Sequence, residues 1–316
     1  MSLLEKLQTF IMLGAVGLGL GLGRWEVVAR LATHFITPAL TAMLFGLFLS
    51  IPLSDLKKGL ADRKFALTSL AINFIWIPIF GWLLGGLFLA DQPALRLGFI
   101  MLLVTPCTDW YLVFTGIARG NVALSAAILP VNLIVQVILL PFYLFVFAGL
   151  TGYVDLTLLL KSVFLVLAVP FGLSRLVRDF LAERSRVRLG LEKVFGQGQF
   201  TFLCLAIAAM FASQAPYLTG HLDIFFRLLI PVLIFFAANF VLVRFVARLL
   251  NFSSPNSVSL SLTTLARNSP IALAIAVTAF PTEPQVALVL VIGPLIELPV
   301  LGAVSQVLLY LGRKKL

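Results

Sequence analysis

Charge and cysteine are what this chain has least of. Only 11% of its 316 residues are charged and only two are cysteine, whereas 61% are apolar and the mean hydropathy is +1.09. So little polar surface cannot cover a soluble globule of this length, and an integral membrane protein is implied. The two cysteines, Cys107 and Cys204, fall on different apolar runs, which excludes a disulfide framework and a cysteine metal site. A GxSG nucleophile turn, an HExxH pair and paired GxGD-like aspartates are all missing, so an intramembrane enzyme is not expected and neither is a cofactor. The apolar runs also lack the ten-residue alternation of an outer-membrane barrel, which leaves helices as the spanning elements.

What the chain does have is length of apolar run. Segments of roughly 20 residues are needed to cross a bilayer, and ten are predicted, near 7–23, 31–52, 65–89, 95–118, 122–149, 156–177, 199–218, 224–249, 258–280 and 284–311. The first is expected to be a retained helix, because only Lys6 precedes it as an n-region charge and no clear cleavage site follows. Of the 23 basic residues, 17 sort to one side of such an arrangement, five to the other, and Arg267 falls inside a span. By the positive-inside rule both termini are expected in the cytoplasm. The net charge of +10 is then a signal of topology and of anionic lipid, and it calls for no nucleic acid. No soluble domain is visible.

Two of the spans are interrupted. TPCTDWY runs from Thr105 to Tyr111 and ARNSP from Ala266 to Pro270, at matching places in the two halves. A charged side chain at membrane depth costs at least ~2.5 kcal/mol, so Asp109 and Arg267 must face protein, water or a substrate. Pro106 and Pro270 each lack an amide donor and disfavour helix at the preceding residue, so both spans should open locally. Unwound backbone at that depth is tolerated only beside protein or a water-filled cavity. If the two breaks cross at the midplane, their amides, carbonyls and half-helix dipoles converge on one small transport site. Asn132 follows Pro106 by 26 residues and Glu297 follows Pro270 by 27, so the polar spacing repeats. Five spans being an odd number, the halves 1–150 and 151–316 are expected to form two inverted five-helix repeats of a single domain, hinged near Arg175–Lys193.

The stretch LLVTPCTDWYLVFTGIARGNVALSAAILPVNLIVQ, together with RNSPIALAIAV and GPLIELPV, resembles the bile acid/sodium symporter superfamily, and within it the arsenite-permease branch. The resemblance covers essentially the whole chain and is most specific at Pro106-Cys107-Thr108, Arg267-Asn268 and Glu297-Leu298-Pro299. It implies an all-α polytopic fold of ten helices with a panel and a core, and discontinuous helices four and nine crossing at the binding site. It further implies that Cys107 and Glu297 are required for moving arsenite out of the cell against protons.

The residues suit that chemistry. Trivalent arsenic is thiophilic and a thiolate is the softest side-chain ligand, so a single Cys107 offers a reversible handle. The neutral hydroxide is rich in hydrogen-bonding groups, which suits Thr105, Thr108, Asn132, Asn268 and Ser269. Glu297, desolvated in span ten, could take up and release a proton as access alternates. Arg267 stays charged and must be paired or meet an anion, which leaves two readings open: an ion pair with Asp109, or a fixed charge that contacts substrate.

The chain also departs from its branch. Asp109 and Trp110 stand where small or apolar residues are usual, and Ser269-Pro270-Ile271 follows the asparagine without the branch's glutamate. Tyr111 and Leu112 fall at positions that hold sodium ligands in sodium-coupled relatives, which disfavours sodium. The alternative is a carrier of a small organic anion, sodium- or proton-coupled, held by Arg267. The expected partners are a small-molecule substrate, protons and membrane lipid, with the chain as monomer or homodimer in the plasma membrane.

Overall fold

The computed structural model describes residues 3–50, 60–107, 110–149, 156–180, 190–191, 194–195, 197–220 and 222–313. Helix accounts for nearly all of the regular structure: α1 Leu3–Leu22, α2 Glu26–Ser50, α3 Arg63–Phe88, α4 Pro93–Leu103, α5 Trp110–Ile117, α6 Val122–Gly149, α7 Leu156–Phe180, α8 Gln197–Gly220, α9 Leu222–Leu249, α10 Ser254–Leu265, α11 Ser269–Ala279 and α12 Pro284–Arg313. No strand occurs among the described residues, apart from one isolated bridge.

Five of these helices, α2, α3, α6, α9 and α12, are long and apolar enough to cross a membrane. Large apolar side chains stand on the outside, among them Leu67, Leu87, Phe164, Phe180 and Phe245. An outer surface of that kind belongs in lipid, and the chain is a multi-pass membrane protein. The predicted fourth and ninth spans are each split into two short helices, α4 with α5 and α10 with α11.

Helix starts follow local chemistry. The Asp62 carboxylate accepts the Phe65 amide at 3.0 Å and opens α3, while Ser253 caps α10 ahead of Pro255. Within α3, residues Ile72–Trp76 form a π turn, an insertion that re-aims the side chains on it.

The helices pack in two sets, joined where α7 meets α6 and α11. In one set, α8 packs against α1 and α2, and α2 packs against α7. In the other, α12 packs against α4 and α11, α9 against α10 and α3, and α6 against α5 and α10. Small residues permit the closest approaches: a Cβ added at Gly19 of α1 would lie 2.5 Å from the Ala208 carbonyl oxygen, and one at Gly98 of α4 would lie 2.6 Å from that of Val286. In lipid, where apolar burial drives little, such backbone proximity supplies the packing.

Candidate functional site

Helix α4 ends at Leu103 and α10 at Leu265; the chain turns at Val104 after the first and becomes extended at Ala266 after the second. There the two breaks meet. The Cys107 amide donates to the Ala266 carbonyl at 2.9 Å and the Asn268 amide donates to the Thr105 carbonyl at 2.6 Å, so that Pro106 and Arg267 face each other in an antiparallel bridge. Facing residues flanked by hydrogen bonds in this way direct their own N–H and C=O groups away from one another. Proline, which has no N–H, therefore fits the position without leaving a gap in the ladder. The Arg267 amide, directed outward, donates to Oε1 of Glu297 on α12 at 2.8 Å. One short ladder thus ties together the two interrupted spans and the single carboxylate of α12.

The side chain of Arg267 is 1% exposed, and its partners are oxygens of protein amides. Nε donates to the Leu265 carbonyl at 3.1 Å, Nη1 to Leu103 at 2.8 Å, and Nη2 to Thr264 at 2.6 Å and to Oδ1 of Asn73 at 3.0 Å. The Phe235 ring lies 5.7 Å away. Leu103, Thr264 and Leu265 end two half-helices, where carbonyls lack intrahelical partners and the dipole is negative. One guanidinium thus caps both α4 and α10.

Two carboxamides support it. Asn73, on the π turn, also donates to the Thr263 carbonyl at 3.4 Å, and Asn239 on α9 donates to Thr264 at 2.8 Å. Neither was singled out from the sequence. A signal was present, because Asn73-Phe74 and Asn239-Phe240 each put one asparagine in an otherwise apolar run, in the third and eighth predicted spans.

The remaining expected residues divide. Asn268 caps α11, accepting the Ile271 amide at 3.3 Å, and Pro270 sits in the first turn, so this proline starts a helix. Thr105 is buried with its hydroxyl turned back to the Met101 and Leu102 carbonyls. Cys107 is buried beside the bridge, and Ser269 is buried with its hydroxyl unpartnered among the described residues. Asn132 of α6 approaches the Thr263 hydroxyl at 3.5 Å through Nδ2. Thr108 and Asp109 lie outside the described residues, and so does the expected ion pair of Asp109 with Arg267. No cluster of His, Cys, Asp and Glu able to hold a metal occurs among the described residues.

Residues 37–221 match the model of the Sodium Bile acid symporter family. The chain is 27% identical over 293 residues to the arsenical-resistance protein Acr3 of Corynebacterium glutamicum, covering 88% of this chain and 79% of that one. It is 26% identical to the uncharacterized protein YbaS of Bacillus subtilis over 79% of this chain and 80% of that one. To the probable sodium/metabolite cotransporter BASS2, chloroplastic, of rice it is 22% identical, over 88% of this chain and 64% of that one.

Proposed function

Because this chain belongs to the sodium bile acid symporter family, whose members are membrane transporters, we propose that it exports arsenite, or a closely related metalloid hydroxide, in exchange for protons by alternating access. The observation that carries the proposal is the bond between Glu297 and the Arg267 amide at the crossing, with Cys107 on the opposite strand of the same ladder. A soft ligand and a protonatable group then share one small structure. Acr3 of Corynebacterium glutamicum, named for arsenical resistance, lends weight to the substrate.

In the proposed cycle the Cys107 thiol condenses reversibly with the neutral arsenic hydroxide. An S–As bond forms as one As–OH bond breaks, the thiol proton and that hydroxide leave as water, and hydrolysis reverses the step without any change of oxidation state. Ionised Glu297 holds the Arg267 amide, and its protonation weakens that bond, since a charged acceptor binds an N–H about twice as strongly as a neutral one. Proton arrival would loosen the crossing on one side of the membrane, and proton release would tighten it on the other. Ten spans, two inverted repeats at 1–150 and 151–316, cytoplasmic termini and a plasma-membrane location complete the proposal.

A carrier of organic anions built on Arg267 is less well supported, because the guanidinium already donates four hydrogen bonds to protein oxygens. The test is arsenite uptake by everted vesicles under an imposed proton gradient without sodium. Accumulation by wild type that Cys107→Ala loses is the expected result. A well-folded wild type that accumulates nothing removes the arsenite proposal.

A further inference from the structure

Asn132 and Gln136 lie one turn apart on α6 and therefore on one face of it. That face looks toward α10, because Asn132 reaches the Thr263 hydroxyl. The direction of α6 is fixed by Asn121, just before its start, which accepts from Ser259 and donates to Pro255 and Asn256 near the start of α10. From there to Asn132 the helix advances toward the end of α10, and Gln136 continues that advance by one turn, toward the break at Ala266.

Gln136 is 1% exposed, and among the described residues neither its Oε1 nor its Nε2 has a partner; Oδ1 of Asn132, fully buried, has none there either. A buried carboxamide without partners is costly, and one with both ends open, a turn from another, points to a missing ligand. We infer that Asn132 and Gln136 form a substrate subsite for a small neutral hydroxide, holding its O–H groups through hydrogen bonds while Cys107 holds the central atom.

The chemistry of the amides selects that ligand class. Carboxamides present both donors and acceptors, as hydroxyl groups do, whereas a carboxylate only accepts and would leave the amide oxygens unpaired. A bound metal ion takes oxygen ligands, usually with a carboxylate among them, and the amide nitrogens would be left without acceptors. No charged side chain among the described residues bonds to either amide.

The inference rests on the metalloid proposal for its physiological substrate, and boric acid separates the two. It is a neutral trihydroxide with no affinity for sulfur, so it reports the hydroxyl subsite alone. Thermal unfolding of the purified full-length protein is followed with boric acid, acetate, sodium chloride or potassium chloride, for wild type, Cys107→Ala and Gln136→Leu. Boric acid is expected to raise the melting temperature of wild type and Cys107→Ala alike, and acetate to leave both unchanged. Gln136→Leu should be at least as stable as wild type, because it removes an unpaired buried amide, yet it should bind boric acid about tenfold more weakly or worse, the worth of one or two hydrogen bonds. A merely structural residue would not gain stability while losing the ligand.

Equal boric acid response in wild type and Gln136→Leu overturns the subsite, as does no response in wild type. A response to sodium over potassium that displaces boric acid overturns it in favour of a cation site. If wild type fails to move arsenite while boric acid binding still depends on Gln136, the subsite stands and the arsenite proposal falls. If Gln136→Leu moves arsenite with unchanged KM, the subsite falls and the arsenite proposal stands.

Discussion

The guanidinium of Arg267 donates to the carbonyl of Leu103 at 2.8 Å, joining the second break to the last residue of α4, 164 positions earlier in the chain. With Leu265 and Thr264 also accepting, the cation lies between two helix ends that each carry partial negative charge. Its position lets a permanent charge persist at 1% exposure, with amide oxygens as the hydrogen-bond acceptors of the guanidinium and the Glu297 carboxylate held beside the same residue by its backbone amide.

Truncating Arg267 to alanine should therefore be severe. Each buried oxygen left without its donor costs roughly 1–3 kcal/mol; those of Leu265, Leu103 and Asn73 lose theirs, while the Thr264 carbonyl keeps the bond from Asn239. Arg267→Lys should restore little, since an ammonium lacks the planar fork that reaches several carbonyls. Free guanidinium at millimolar concentration should partly restore both melting temperature and transport to Arg267→Ala, more so than sodium does. Rescue by sodium and not by guanidinium would count against the capping role.

Glu297→Gln keeps an oxygen to accept the Arg267 amide but cannot ionise. The variant should fold and bind substrate, with a loss of stability of about 1 kcal/mol from exchanging a charged acceptor for a neutral one. Proton-driven uphill transport should disappear and the pH dependence of any residual exchange should flatten. Flux measured in vesicles across a range of imposed proton gradients decides; undiminished uphill transport removes Glu297 from coupling.

Cys107 enters the ladder through its backbone, so Cys107→Ala and Cys107→Ser should leave the crossing intact and the melting temperature nearly unchanged. Both should weaken arsenite transport by tenfold or more, about 1.4 kcal/mol or above, and serine should be no better than alanine because hardness, not size, is at issue. Serine-level activity equal to wild type would show that the thiol is a packing group.

Gly98→Val tests the close contact of α4 with α12. The added Cβ meets the Val286 carbonyl oxygen at 2.6 Å, a distance that forces the helices apart. A destabilisation of roughly 1–3 kcal/mol is expected from such overpacking, read as a lower melting temperature in detergent, and the same shift should reduce transport without changing the proton-coupling ratio.

The amino-acid sequence made the membrane class and the two breaks legible because both are written in side-chain chemistry. Apolar run length reports spanning helices, and Pro106 and Pro270 mark where helix fails. The partners of Arg267 were out of reach for the opposite reason: Leu103, Thr264 and Leu265 contribute carbonyls, which every residue carries. Pro270 also had two physical outcomes, a break within a span or the first turn of a half-helix, and Asn268 two residues before it, as a cap, selects the second. Asn73 was hidden by the π turn, since a regular helix gives no hint that this register is re-aimed toward residue 267. Gln136 could be read only once its neighbours were known to leave it unpaired.

The ladder at Pro106 and Arg267 also bears on how the protein is made. When the first half enters the membrane, the Thr105 carbonyl and the Cys107 amide have no partner until Ala266 and Asn268 are synthesised. Lipid offers no substitute donor or acceptor. The chain up to Cys107 is thus an unfinished product, and maturation waits for the segment from Ala266 to Asn268 to arrive. Two separately expressed halves should accordingly find each other in one membrane, each supplying the backbone groups that the other lacks.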